Sequence, residues 1–137
     1  MRLILLSDKF YRDYSGCEEI LQKDSRPYMC LAVSINGETF AIPFRHHIQH
    51  KYAFFTKPRC GLDYSKAVVI SSEEYISSVS PRIDQMEFNA VKGKDARIQN
   101  GMEKYIKLYN TAKRYKETFF YYNILKCSSL QYFEEYL

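Results

Sequence analysis

Tryptophan is absent from this sequence, and so is any apolar run long enough to cross a bilayer. The opening, MRLILLSDKF, holds four consecutive apolar residues before charge returns, too few for a secretory signal or a membrane span. A soluble, cytoplasmic protein with no membrane partner is expected. CxxC pairs are missing too. Cys17, Cys30, Cys60 and Cys127 are widely scattered, which argues against a zinc ribbon and a dense disulfide framework and fits reduced thiols. Internal repeats, low-complexity tracts and a dividing linker are lacking, so residues 1–137 read as a single domain. The formal net charge of +4 permits a polyanionic partner without requiring one.

Aromatic residues are abundant instead. They make up 16 % of the chain, with 13 tyrosines, each offering a stacking surface and a polar tip to a core or to nucleic acid. Hydrophobic residues at 46 % and charged residues at 26 % are the proportions of a globular fold, and the length is enough for a core without disulfide support.

The stretch that organises the chain is RPYMCLAVSINGETFAIPFRHHIQHK, residues 26–51. Asn36-Gly37 between alternating apolar residues predicts a hairpin with a two-residue type I′ turn. That turn pairs Ile35 with Glu38, Val33 with Phe40, Leu31 with Ile42 and Met29 with Phe44, all apolar partners falling on one face. The other face sets Cys30 across from Pro43 and Tyr28 across from Arg45, with Arg26 approaching His47. Pro43 lacks an N–H, so a bulge or an edge is expected beside it. All three histidines, His46, His47 and His50, fall within five positions of the hairpin's exit.

Around the hairpin, residues 3–6 predict a buried strand. A helix capped by Ser7 or Asp8 should follow from Lys9 to about Tyr14, ending at Gly16. Residues 52–56 and 66–70 predict two more strands, with a turn over residues 59–65 and a single helical turn after Ser72. From Lys94 to about Tyr115 the period becomes helical, with Ile98, Met102, Tyr105, Ile106, Tyr109 and Ala112 on one stripe. Asn100-Gly101 weakens that helix and invites a break. Arg97, Lys104, Lys107 and Arg114 lie off the stripe, a pattern that ordinarily marks a solvated face. Residues 118–125, TFFYYNIL, suit a strand or a buried helix. Ser128 to Gln131 has capping-box spacing and predicts a short terminal helix through Tyr136.

The histidine cluster has the parts for cutting RNA without a metal. The ribose 2′-hydroxyl must lose a proton, the leaving 5′-oxygen must gain one, and charge on the phosphate must be stabilised. Imidazole, with an unperturbed pKa of about 6.5, suits both proton transfers; the forked donors of arginine match phosphate oxygens. His46, His47 and His50 with Arg45 and Arg26 are the catalytic candidates. Tyr28, Lys51 and Lys57, with Arg97 and Lys104 on the helix, are candidate RNA contacts. Two other readings stand beside this one. On a helix HHIQH would align His46 with His50 for zinc, although no glutamate completes an HExxH motif. The blander possibility is surface histidines after a strand.

At these residues the chain resembles the endoribonuclease toxins of type III toxin–antitoxin systems, the ToxN, AbiQ, CptN and TenpN group, and most of all the TenpN branch. LILLSDKFYRDY resembles the family's opening strand and aromatic helix, RPYMCLAVSINGETFAIPFR its hairpin, GLDYSKAVVI the following turn and strand, and CSSLQYFEEYL its closing helix. The resemblance implies an α+β fold with a strongly twisted, partly barrel-like antiparallel sheet of the Kid/MazF kind, flanking helices and a long helix in the C-terminal half. It implies cleavage of cellular or phage RNA that leaves a 2′,3′-cyclic phosphate, with no cofactor. It also implies inhibition by a small repeated antitoxin RNA, a pseudoknot that the toxin processes and assembles with into a hetero-oligomer. Tyr11 falls where the family has an active-site tyrosine. Aligned on Pro43, the family's Thr-Ser-Pro-Lys run is replaced by Arg45, His46, His47 and Ile48, which favours histidine acid–base chemistry here. The alternatives from other classes are a non-catalytic RNA-binding module using the same surface and a partner-binding domain without activity.

Overall fold

In the hairpin Asn36 and Gly37 both take positive φ, 52° and 82°, as a type I′ turn requires. The computed structural model describes residues 2–22 and 28–137; Arg26 lies outside the described residues. Strand β1 (Arg2–Leu5) is followed by helix α1 (Asp8–Asp13), and the hairpin is formed by β2 (Met29–Ile35) and β3 (Glu38–Arg45). Its register is the expected one, from Ile35 opposite Glu38 through Leu31 opposite Ile42 to Cys30 opposite Pro43, where the ladder ends. The further pairs expected beyond it, Met29 with Phe44 and Tyr28 with Arg45, are not part of the ladder.

Strands β4 (Ala53–Lys57), β5 (Cys60–Asp63) and β6 (Val68–Ile70) complete the sheet, in the order β1-β2-β3-β5-β4 with β6 also on β3. Every pairing is antiparallel, and the six-stranded sheet is not closed into a barrel. The turn expected at residues 59–65 is therefore corrected. Pro58 and Arg59 turn, Cys60–Asp63 pairs with both β3 and β4, and the chain turns again only from Tyr64. Gly61 hides the strand in the sequence, yet it is required: a Cβ there would lie 2.1 Å from the Phe54 carbonyl oxygen.

Pro43 marks the place where the neighbouring chain leaves the ladder. From Ala41 to Phe44 strand β3 advances three residues, while its partner uses six, Leu62 to Val68. The surplus is a 3-10 turn at Tyr64–Lys66. Because hydrogen bonding alternates sides along an antiparallel strand, the missing Pro43 donor faces that bulge and costs the ladder nothing.

Both sheet faces are buried. Leu31, Ile35, Phe40 and Ile42 line one, Cys30, Ala41 and Pro43 the other, the latter covered by Leu6, Tyr11, Ile20 and Leu21. Ser7 caps α1 by accepting from the Phe10 N–H. After α2 (Gln85–Val91), the long helix α3 (Asp95–Arg114) packs against β2, β4 and the 3-10 turn. It buries Ile98, Met102, Tyr105, Tyr109 and Ala112 of the expected stripe, leaves Ile106 half-buried, and runs unbroken through Gly101.

Of the two alternatives for residues 118–125 the helix is the one formed, though it is not a buried one: Thr118 precedes α4 (Phe119–Cys127), of which only Ile124 is buried. The terminal helix is replaced by two 3-10 turns, Ser129–Tyr132 and Glu134–Tyr136. Gln131 donates to the carbonyls of Leu125, Lys126 and Ser128 instead of reaching back to an amide, so no capping box forms. The chain is α+β, and no helix among the described residues is long and apolar enough to cross a membrane.

Candidate active site

Asp63 is completely buried and charged groups converge on it. Arg45, at the end of β3, donates to its Oδ2 at 2.7 Å. Ser65, two residues on, donates to Oδ1 from both its amide, 2.9 Å, and its hydroxyl, 2.6 Å, an Asx arrangement that starts the 3-10 turn. His50 Nε2 lies 3.2 Å from Oδ1 and 3.1 Å from the Ser65 hydroxyl. Burial pushes the Asp63 carboxyl up, but hydrogen bonds from His50 and Ser65, the electrostatic attraction of the His50 ring and the Arg45 hydrogen bond outweigh it. The net shift is downward, so Asp63 is a carboxylate.

The geometry fixes the His50 tautomer. Its Nδ1 accepts the Tyr52 N–H at 3.0 Å, so the proton of the neutral ring sits on Nε2 and points to Asp63 and Ser65. The Tyr52 ring lies against the imidazole at 5.6 Å. Both nitrogens of His50 are therefore turned inward. In this arrangement it holds the loop to the sheet, and the proton-transfer candidates that face solvent are His46 and His47.

His46 and His47 are exposed. The His46 Nδ1 lies 3.3 Å from the half-buried thiol of Cys60. His47 adopts a φ of 59°, which turns the chain so that the next residue, Ile48, points back into the protein. Ile48 is 2 % exposed and its amide donates to the Arg59 carbonyl at 2.9 Å. A plug at Ile48 thus separates an outward pair from an inward histidine.

The zinc arrangement is not formed. Residues 46–52 are not helical, and His46 and His50 have different partners. Among the described residues no group of three or more His, Cys, Asp or Glu side chains is set to hold a metal.

The other candidates are spread around this centre. Lys51 lies over the Tyr52 ring at 5.9 Å, and Lys57 is exposed at the end of β4 beside a register shift. Arg97 lies over the Phe54 ring of β4 at 5.7 Å, and Lys104 is exposed one heptad further along α3. Tyr11 and Tyr28 sit together on the Pro43 face, where Leu6, Cys30 and Lys66 help line a cavity of about 10 Å³, room for one water. Tyr11 is buried, and burial raises its pKa well above the ordinary tyrosine value.

Asp63 and Ser65 are the members of this cluster that sequence reasoning missed. Their local signal is Asp-x-Ser, an Asx turn, but nothing local announces that Arg45, eighteen residues away, closes on it. Compared with models of protein families, with curated proteins and with solved structures, the chain has no match.

Proposed function

We propose that the protein is a metal-independent endoribonuclease toxin of the type III toxin–antitoxin kind, with a sheet related to the Kid/MazF architecture. The observation that carries this reading is the surface formed by exposed His46 and His47 beside Arg45, whose guanidinium is held by a buried carboxylate. One imidazole takes the 2′-hydroxyl proton as that oxygen attacks phosphorus; the other protonates the departing 5′-oxygen, leaving a 2′,3′-cyclic phosphate. Arg45 spends one N–H on Asp63, and its remaining donors serve the phosphate oxygens. Lys51, Lys57 and Arg97 extend the cationic surface along the RNA. An inhibitory antitoxin RNA, pseudoknotted and cut by the toxin into its repeats, would occupy the same surface and build the hetero-oligomer.

The test is incubation with cellular RNA in the presence of a chelator. Discrete fragments with cyclic-phosphate ends are expected, and His46→Ala and His47→Ala should each lower the cleavage rate by about a hundredfold or more. Cleavage that survives both single substitutions, or that returns only with added zinc, refutes the assignment. A non-catalytic RNA-binding module is the second reading, favoured by one observation: Ile48, at the family's lysine position, is buried and offers no cation. RNA that is bound with salt-sensitive affinity but never cut would establish it.

A further inference from the structure

We propose that the corner where α3 meets α4 is a second RNA surface, which stacks single-stranded bases and lies apart from the histidine loop. Tyr115, Phe119, Phe120 and Tyr122 are all more than half exposed, Phe119 at 83 %. Tyr121 ties the group together, its ring 6.1 Å from Tyr115 and 5.2 Å from Phe120. Four large rings open to water within eight residues form the kind of patch a monomer keeps for a partner.

The charge around the rings selects that partner. Lys113, Arg114, Lys116 and Lys126 surround them, against Glu117 alone within the same stretch. Lys113 is paired with Glu134 at 3.5 Å, whereas Arg114, Lys116 and Lys126 have no acidic partner among the described residues. Cations for phosphates and π-faces for bases are the two components of sequence-tolerant single-strand binding.

The corner is also joined along α3 to Arg97, one of the candidate RNA contacts. Arg97 and Lys104 run along one line of α3 from the Phe54 ring. Lys107 and Arg114 lie about 80° further round the helix, so the cations wind outward as they approach the aromatic corner. From Arg97 to Arg114 the path is about 25 Å. Substrate or antitoxin RNA engaged at the histidines can follow it to the rings, and this second contact rests on the RNA reading above.

The experiment uses the full chain carrying His46→Ala and His47→Ala, so that RNA is not consumed, and a fluorescein-labelled oligouridylate read by anisotropy. Adding Phe119→Ala or Phe120→Ala should weaken binding about fivefold or more, while Phe119→Trp retains it. Because Phe119 is exposed, an unchanged melting temperature will separate lost stacking from lost structure. If the oligonucleotide binds and the ring substitutions leave its affinity unchanged, the corner is refuted and the histidine-loop reading stands. If it binds in no form, the corner is refuted, and the cleavage assay on cellular RNA decides the histidine reading separately. If Phe119→Ala instead dissolves a dimer in sedimentation with RNA affinity intact, the rings serve a second copy of the chain and the proposal is overturned.

Discussion

Asp63 carries its charge where water does not reach it, and such a charge persists only when its partners are in place. Arg45 supplies the compensating charge, while Ser65 and His50 satisfy the remaining lone pairs. Asp63→Asn keeps the shape but removes the charge and turns an amide donor toward other donors. It should cost about 2–4 kcal/mol in a urea titration, and cleavage should fall because Arg45 loses its anchor. The pH dependence has a definite sign. The folded pKa of Asp63 lies below the ordinary carboxylate value, so its contribution is fully present above about pH 4. It is lost as the pH falls through the lower folded value. The stability difference between the wild type and Asp63→Asn should be constant from neutral pH to about 5 and shrink on further acidification; a gap unchanged at pH 2 would contradict the linkage.

At the scale of elements, helix α3 shows how packing reverses a local preference. Glycine inside a helix is ordinarily about 1 kcal/mol worse than alanine, which is why Gly101 suggests a break. Here a Cβ at Gly101 would lie 2.2 Å from the Tyr64 hydroxyl, which donates to the Ile98 carbonyl at 3.0 Å. Gly101→Ala should therefore destabilise the protein, by about 1–3 kcal/mol as overpacking, despite its better propensity; a raised melting temperature would show that Tyr64 moves aside freely. The same contrast explains what the sequence reveals and what it hides. Asn36-Gly37, the Ser7 cap and the α3 stripe were legible because their signals are local or strictly periodic. Strand β5 was not, since Gly61 reads as a turn until Phe55 and Arg45 flank it. The site was half legible. Three histidines after a strand can be counted, but which face inward depends on Ile48 finding the core and on Asp63 waiting eighteen residues beyond Arg45. For α4 the letters TFFYYNIL state apolarity, and only the tertiary neighbours decide that Ile124 is buried while Phe119 is not.

For the molecule as a whole, a core without tryptophan is built on phenols, and this fixes its limit on the alkaline side. Tyr11, Tyr14, Tyr64, Tyr105 and Tyr109 all have raised pKa values, burial being the largest cause in each, with Tyr14 and Tyr64 at about 12. Tyr109 is held neutral further by its hydrogen bond to Glu134. An unfolded chain would ionise these groups near pH 10, whereas the folded one keeps their protons. Each therefore stabilises the fold fully below about pH 10, and that contribution is lost as the pH rises through the folded value. The buried Cys30 thiol, pushed up to about 12, adds a term of the same sign. Stability should decline steeply above pH 10. In a phenolate absorbance titration the exposed tyrosines should ionise first and reversibly, and Tyr11, Tyr64, Tyr105 and Tyr109, with the half-buried Tyr14, only together with the collapse of the far-ultraviolet circular dichroism. A single titration of all 13 tyrosines near pH 10 with the secondary structure retained would mean that these rings are open to water, and the packing of α1 and α3 against the sheet would have to be redrawn.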